Sequence, residues 1–218
     1  MRRLAVLHTV AMLVDRFKGL LAGAVPGSVD IVHMLDESLL RDLMREGQTP
    51  AITRRVVALA TQAADSGADL IVFTCSSTSP AIDVARQVTG VPILKIDDPM
   101  AARAVETGAR IGIVCTTSST RGPSEALVRA HAAKAGREVD IEALLVPGAF
   151  DALQAGRRDE HDRLVSEAAL SVASRSDVLV LAQASLAHLA EPLGLQATVP
   201  VLASPPLCVE AIRRFYAA

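Results

Sequence analysis

The feature that most constrains this 218-residue chain is that it repeats itself. Ala68-Asp69-Leu70-Ile71-Val72-Phe73 lies over Ser176-Asp177-Val178-Leu179-Val180-Leu181, and Val91-Pro92-Ile93-Leu94 lies over Val199-Pro200-Val201-Leu202, both at a shift of 108 residues without a gap. Leu4-Ala5-Val6-Leu7-His8-Thr9 lies over Ile111-Gly112-Ile113-Val114-Cys115-Thr116 at a shift of 107. Aliphatic strands resemble one another by composition alone. The shared spacing, with the Asp and the Pro kept in place, argues instead for two copies of one structural unit.

Each copy reads as alternating strands and helices. Short aliphatic runs bounded by turn residues occur at 4–7, 31–35, 70–73, 91–94, 111–114, 141–146, 178–181 and 199–202, the pattern of strands buried on both faces. Between them lie helical periodicities. Thr49 is placed to cap a helix with Pro50 at its first position, and Ile52, Val56, Leu59, Ala60 and Ala63 share a face before Gly67. Ser79-Pro80 and Asp98-Pro99 repeat that opening, with Asp98 expected as an N-cap, and Gly108 and Gly136 stand where helices should stop. The expected fold is α/β: two similar Rossmann-like halves with four-stranded parallel sheets, related by a pseudo-twofold, with an active-site cleft between them. The first half takes residues 1–97 plus 207–218, through a C-terminal helix over Leu207 to Phe215, and the second takes 98–206.

Composition then removes whole classes of function. Twenty-two basic against 24 acidic residues leave a net charge of −2, so a nucleic-acid footprint is not expected. Aromatics make up 2% of the chain and tryptophan is absent, so aliphatic side chains must pack the core and stacking platforms for bases or sugars are not expected. Cys75, Cys115 and Cys208 are odd in number and lack CxxC spacing, which argues against a disulfide framework or a zinc site and fits a reducing cytoplasm. Met1-Arg2-Arg3 and the apolar run to Val14 imitate a secretion signal, but Asp15, Arg16 and Lys18 fall where such a signal carries no charge. No apolar stretch reaches the roughly 20 residues that cross a bilayer. Lysine is scarce, with Lys95 in a strand and Lys134 in a helix, so a Schiff-base cofactor is not expected. GxGxxG, Walker and HExxH motifs and metal-ligand clusters are absent, so neither cofactor nor metal is expected.

In open α/β sheets, ligands bind beyond the carboxyl ends of the strands. The residues there are His8-Thr9, Thr74-Cys75-Ser76-Ser77-Thr78, Cys115-Thr116-Thr117-Ser118-Ser119-Thr120 and Ala182-Gln183-Ala184-Ser185. Hydroxyls and amides at helix starts receive a carboxylate well, although any one of these Ser or Thr residues could simply cap its helix. Cys75 is the sharpest candidate, because a thiol entering a helix N-terminus gains thiolate stabilisation from the amide dipoles. Cys115 and Cys208 read as packing residues. His8 is either a proton donor or a histidine satisfied by the backbone.

The paired α/β halves, the Thr74-Cys75-Ser76-Ser77 segment and the Val-Pro-aliphatic strand together resemble the aspartate/glutamate racemase superfamily, which also holds hydantoin racemases, maleate isomerases and arylmalonate decarboxylases. The likeness extends over the whole chain. It implies two cysteines, one per half, that exchange the proton at a substrate Cα from opposite sides without a cofactor. Cys75 matches the first, whereas Gln183 stands at the place of the second, and a glutamine cannot exchange a proton at neutral pH. By the same likeness Ser76, Ser77, Thr116, Thr117, Gln183 and Ser185 hold the substrate, and His8, at the cleft mouth, is the candidate to replace the missing acid/base. The implied activity is a cofactor-independent racemase or isomerase acting at the Cα of a small carboxylate or amino acid. The alternatives are a single-cysteine decarboxylase or lyase and a catalytically inactive carboxylate-binding protein. Few cations near the strand ends weigh against a dicarboxylic substrate. The expected partner is this small molecule, with neither nucleic acid nor membrane, and homo-oligomerisation is left open.

Overall fold

The computed structural model describes residues 1–217. The chain divides into two compact units, one of Met1–Ile96 together with the chain from Pro206 onward, the other of Asp97–Pro205.

The first unit runs β1 (Arg3–His8), α1 (Ala11–Leu21), β2 (Asp30–Leu35), α2 (Glu37–Glu46), α3 (Pro50–Asp65), β3 (Leu70–Phe73), α4 (Ser79–Arg86) and β4 (Ile93–Lys95). Its four strands are all parallel, in the order β2-β1-β3-β4. The second runs α5 (Asp98–Thr107), β5 (Arg110–Cys115), α6 (Ser118–Lys134), β6 (Asp140–Leu145), α7 (Ala149–Gln154), α8 (Arg158–Ala173), β7 (Val178–Leu181), α9 (Ala190–Gly194) and β8 (Val201–Ala203). Its sheet repeats the order as β6-β5-β7-β8, again all parallel. A final helix, α10 (Ser204–Ala217), begins in the second unit and continues in the first. All eight expected strands are present, and the registers Leu4↔Leu70 and Ile111↔Val178 agree with the sequence repeat.

The two residues that anchored the repeat have structural work in both units. Asp69 accepts a hydrogen bond from the Arg3 backbone N–H at 2.6 Å. Asp177 accepts from the backbone N–H groups of Ala109 and Arg110 at 3.1 and 2.8 Å, and from the Arg110 guanidinium. Pro92 and Pro200 lack an N–H, but their carbonyls accept from Ile71 and Leu179 at 3.0 and 2.9 Å, so each proline opens an edge strand without breaking the ladder.

The central strands are buried along their length, as their unbroken aliphatic runs require, whereas β2 and β6 at the sheet edges are partly exposed. Ile52, Val56, Ala60 and Ala63 of α3 pack with Ala81, Ile82 and Ala85 of α4 on Ile71 and Phe73. In the second unit Val165, Ala169, Val172 and Ala173 of α8 pack on Leu179 and Leu181. Thr49 caps α3 as expected, its hydroxyl accepting from Ile52 N–H at 3.3 Å. Asp98 departs from expectation. It is the first helical residue of α5 rather than its cap, since proline is tolerated within a first turn, and its carboxylate lies 3.1 Å from His131 Nε2. For the same reason α10 starts at Ser204, ahead of Pro205 and Pro206, three residues before the expected Leu207.

Gly112, at the position of Ala5 in the repeat, has no room for a methyl group: a Cβ would lie 2.5 Å from Val172 Cγ1 and 2.6 Å from Ser176 Oγ. Gly112→Ala is therefore expected to destabilise the protein by about 1–3 kcal/mol through overpacking. Urea unfolding would show this as a lower midpoint at an unchanged m-value.

Among the described residues, no helix is long and apolar enough to cross a membrane.

Candidate active site

In the strand order β2-β1-β3-β4 the chain leaves β1 toward one edge and returns to β3 on the other side, which opens a crevice at the carboxyl ends of β1 and β3. Thr9 and Cys75 flank that point. The ladder continues past β3 through Thr74 N–H to Leu7 O at 3.0 Å, and Cys75 then leads into a single 3₁₀ turn, Ser76–Thr78, ahead of α4. Thr78 closes the turn, with N–H and Oγ1 donating to Cys75 O at 3.3 and 2.8 Å. Gln48 Nε2 donates to Ser77 O at 2.6 Å and holds the turn from outside.

Burial pushes the Cys75 thiol above its ordinary range and prevails, while the Thr9 hydroxyl and the backbone N–H groups of Thr78 and Ser77 pull the other way. Thr9 Oγ1 is buried with no conventional hydrogen-bond partner, so its hydroxyl hydrogen is available to the sulfur. The site is thus a desolvated thiol surrounded by donors that become valuable only when it ionises. Cys75 is 9% exposed, whereas Cys115 and Cys208 are fully buried. Cys115 directs its Sγ at Leu144 O, 3.7 Å away, and burial pushes it up to about 11, which leaves it a packing residue at neutral pH.

Thr9→Val should move Cys75 further up. Losing one hydrogen bond to a charged acceptor is worth about 1.5–3 kcal/mol, or roughly one to two pH units. The check is iodoacetamide labelling read by peptide mapping against pH. The inflection for Cys75 should shift to higher pH in the variant, and wild type should label Cys75 ahead of the other two cysteines.

His8 does not stand at an open mouth. It ends the central strand β1, is almost fully buried, stacks on His33 at 5.2 Å and meets Phe17 edge-on at 5.9 Å. Its Nδ1 is 3.0 Å from Thr74 Oγ1 and its Nε2 is 2.9 Å from His33 Nδ1. Burial, with His33 and Lys18 nearby, lowers its pKa to about 4, so it is neutral at pH 7. Both ring nitrogens are engaged with neighbouring side chains, which argues against the acid/base role expected for it. Its contacts instead orient Thr74, the residue before Cys75.

The second unit repeats the geometry with different chemistry. Its crevice lies at the carboxyl ends of β5 and β7, where Ala182 N–H donates to Val114 O at 3.0 Å. Thr116, the counterpart of Thr9, donates from its backbone N–H at 2.5 Å and from its hydroxyl at 2.9 Å to Gln183 Oε1, the counterpart of the Cys75 sulfur. Thr117 precedes α6 but caps nothing, since its hydroxyl is 2.9 Å from Thr120 Oγ1. Ser185, half-buried, lies in the 3₁₀ segment Ala184–Leu189 and its carbonyl faces His188 Nδ1 at 2.9 Å. Cys75, Ser76 and Ser77 thus share one strand end of the first unit, and Thr116, Thr117, Gln183 and Ser185 group at the matching end of the second. Thr9 is the residue that sequence reasoning passed over as a partner of Cys75. The signal was visible, for Thr9 and Thr116 are the identical pair at the 107-residue shift.

Lys95 ends β4, but its buried ammonium pairs with Asp83 at 2.7 Å. Among the described residues no group of three or more His, Cys, Asp or Glu side chains could hold a metal ion.

The fold is that of several solved racemases. Allantoin racemase from Klebsiella pneumoniae is 17% identical with a TM-score of 0.68, covering 100% of this chain and 88% of its own. Aspartate racemase from Picrophilus torridus is 12% identical with a TM-score of 0.71, covering 100% and 95%. Glutamate racemase from Francisella tularensis in complex with D-glutamate is 14% identical with a TM-score of 0.75, covering 98% and 80%. No curated protein gives a significant sequence match. The model of the Asp/Glu/hydantoin racemase family matches residues 26–212, most of both α/β units, and the chain belongs to that family.

Proposed function

We propose that this protein is a cofactor-independent enzyme that moves a proton at the Cα of a small carboxylate, with Cys75 as the acid/base. The observation that carries this reading is the place of Cys75, at the carboxyl end of β3 where the chain enters the Ser76–Thr78 turn, with Thr9, Ser77 and Thr78 favouring the thiolate although burial still holds the thiol above its ordinary range. Such a group is poised to take a weakly acidic proton and return it. The strand ends of each unit supply donors for a carboxylate, Ser76 and Ser77 beside Cys75 in the first and Thr117 and Ser185 in the second, and such hydroxyls and N–H groups stabilise the charge that reaches carboxylate oxygens as Cα loses its proton; both donors of Thr116 are taken by Gln183.

Family membership supports racemase-type chemistry. Gln183 supports a second reading within the same family, a one-thiol lyase or decarboxylase that protonates a carbanion from one side. Both are tested by proton NMR of the protein in deuterium oxide with a panel of 2-substituted carboxylates. Loss of the Cα signal without loss of mass is expected for the first reading, and a decarboxylated product of single configuration for the second. No exchange and no product with any member of the panel would overturn both and leave a carboxylate-binding protein.

A further inference from the structure

The contact between Thr116 and Gln183 determines which way the glutamine amide faces. A backbone N–H can only donate, so the atom 2.5 Å from Thr116 N must be the amide oxygen. The Thr116 hydroxyl donates to that same oxygen at 2.9 Å, which uses both of its lone pairs. Rotating the amide by 180° would set an NH₂ against the Thr116 N–H and lose that bond, even if the hydroxyl turned to accept. Nε2 is therefore held on the side away from Thr116, and it makes no hydrogen bond among the described residues. The residue is half-buried, at the carboxyl end of a central strand, with its backbone carbonyl tied to Leu186 N–H at 3.0 Å. Both the backbone and the amide plane are fixed, and an N–H₂ pair is left to donate.

From this arrangement we propose that Gln183 is a specificity-determining residue, which offers a fixed, uncharged donor to an acceptor oxygen on or next to the substrate Cα, and that Thr116 is its positioning residue. This rests on the reading of the strand ends as a small-carboxylate site. The ligand class it selects is a small carboxylate that carries a carbonyl oxygen close to Cα. A purely aliphatic substituent there would leave the donors of Gln183 unpaired on binding, and that loss is what discriminates.

Acetoacetate and 3-methylbutanoate test this, because they match in charge and shape and differ by one carbonyl oxygen in place of a methyl group. Binding of each is measured by calorimetry at pH 7 to wild type and to Gln183→Met, Gln183→Glu, Thr116→Val and the Thr116→Val, Gln183→Met double variant. Wild type should prefer acetoacetate by roughly two- to tenfold, the worth of one neutral hydrogen bond. The preference should vanish in Gln183→Met, which keeps the length but not the donor. It should reverse in Gln183→Glu, whose outward oxygen accepts and is charged. Thr116→Val should give an intermediate preference, and in the double variant it should add nothing to the loss from Gln183→Met.

Equal binding of the two probes by wild type, or a preference that survives in Gln183→Met, would overturn the inference and leave the role of Cys75 untouched. So would failure of both probes to bind a protein that shows Cys75-dependent exchange. Failure of both in a protein that exchanges no carboxylate would overturn the underlying reading as well.

Discussion

Cys75→Ala is expected to lower Cα proton exchange by about two to four orders of magnitude, the range that positioned acid/base groups contribute. On the proposed reading the loss should fall on kcat, because the thiol acts on the proton in transit while other groups, the hydroxyls and N–H groups of Ser76 and Ser77 among them, hold the carboxylate. Stability should change by no more than about 1–2 kcal/mol, since the side chain is small and lies at the edge of the core. Cys75→Ser should lose almost as much activity. Its hydroxyl can take the place of the thiol among the same donors, yet it ionises far too weakly to serve as the base. The measurement is deuterium uptake at Cα under saturating substrate, alongside a thermal melt. Exchange at wild-type rates in both variants would remove Cys75 from the mechanism.

Gln183→Cys is the converse experiment. By its likeness to the racemases, the wild-type chain would carry a thiol at one of two acid/base positions and a carboxamide at the other, and a carboxamide does not exchange protons near neutral pH. Wild type should therefore wash deuterium into one enantiomer with retention much faster than it interconverts the two. A cysteine at 183 would enter a site already built for an acceptor. The Thr116 N–H and hydroxyl, which bond Gln183 Oε1 at 2.5 and 2.9 Å, are the counterparts of the donors that Thr9 and its neighbours offer Cys75. The variant should raise racemisation relative to one-sided exchange by about a hundredfold or more. Chiral chromatography of the substrate beside NMR of its deuterium content measures both rates on one sample. Equal rates of racemisation and exchange in wild type would mean that a second acid/base already serves. His8 is a poor choice for it, being neutral, buried and bonded through both ring nitrogens.

The fold was legible from the chain alone because its determinants are local and repeated. Unbroken aliphatic runs specify strands buried on both faces, and Thr49-Pro50 with Ile52, Val56, Ala60 and Ala63 specifies a capped helix on one side of them. The Asp and Pro kept at a shift of 108 proved to cap and pair the same strands in each unit. Helix starts were less legible at Asp98 and Leu207, where a proline marks the first turn without saying which of its residues opens it.

For the candidate site, the sequence points to Cys75 by its place after a strand and before a helix, and shows that Gln183 breaks the symmetry of the repeat. Which group faces which was decided only by the tertiary structure. Residues 9 and 75 are far apart along the chain, and so are 116 and 183; each pair meets because parallel strands bring their carboxyl ends together across the crevice where the strand order reverses. The protonation of His8 was decided the same way. A histidine's charge depends on its solvent and neighbours, and the packing of Phe17 and His33 around the end of β1 is a property of the assembled sheet and helix that no stretch of the sequence contains.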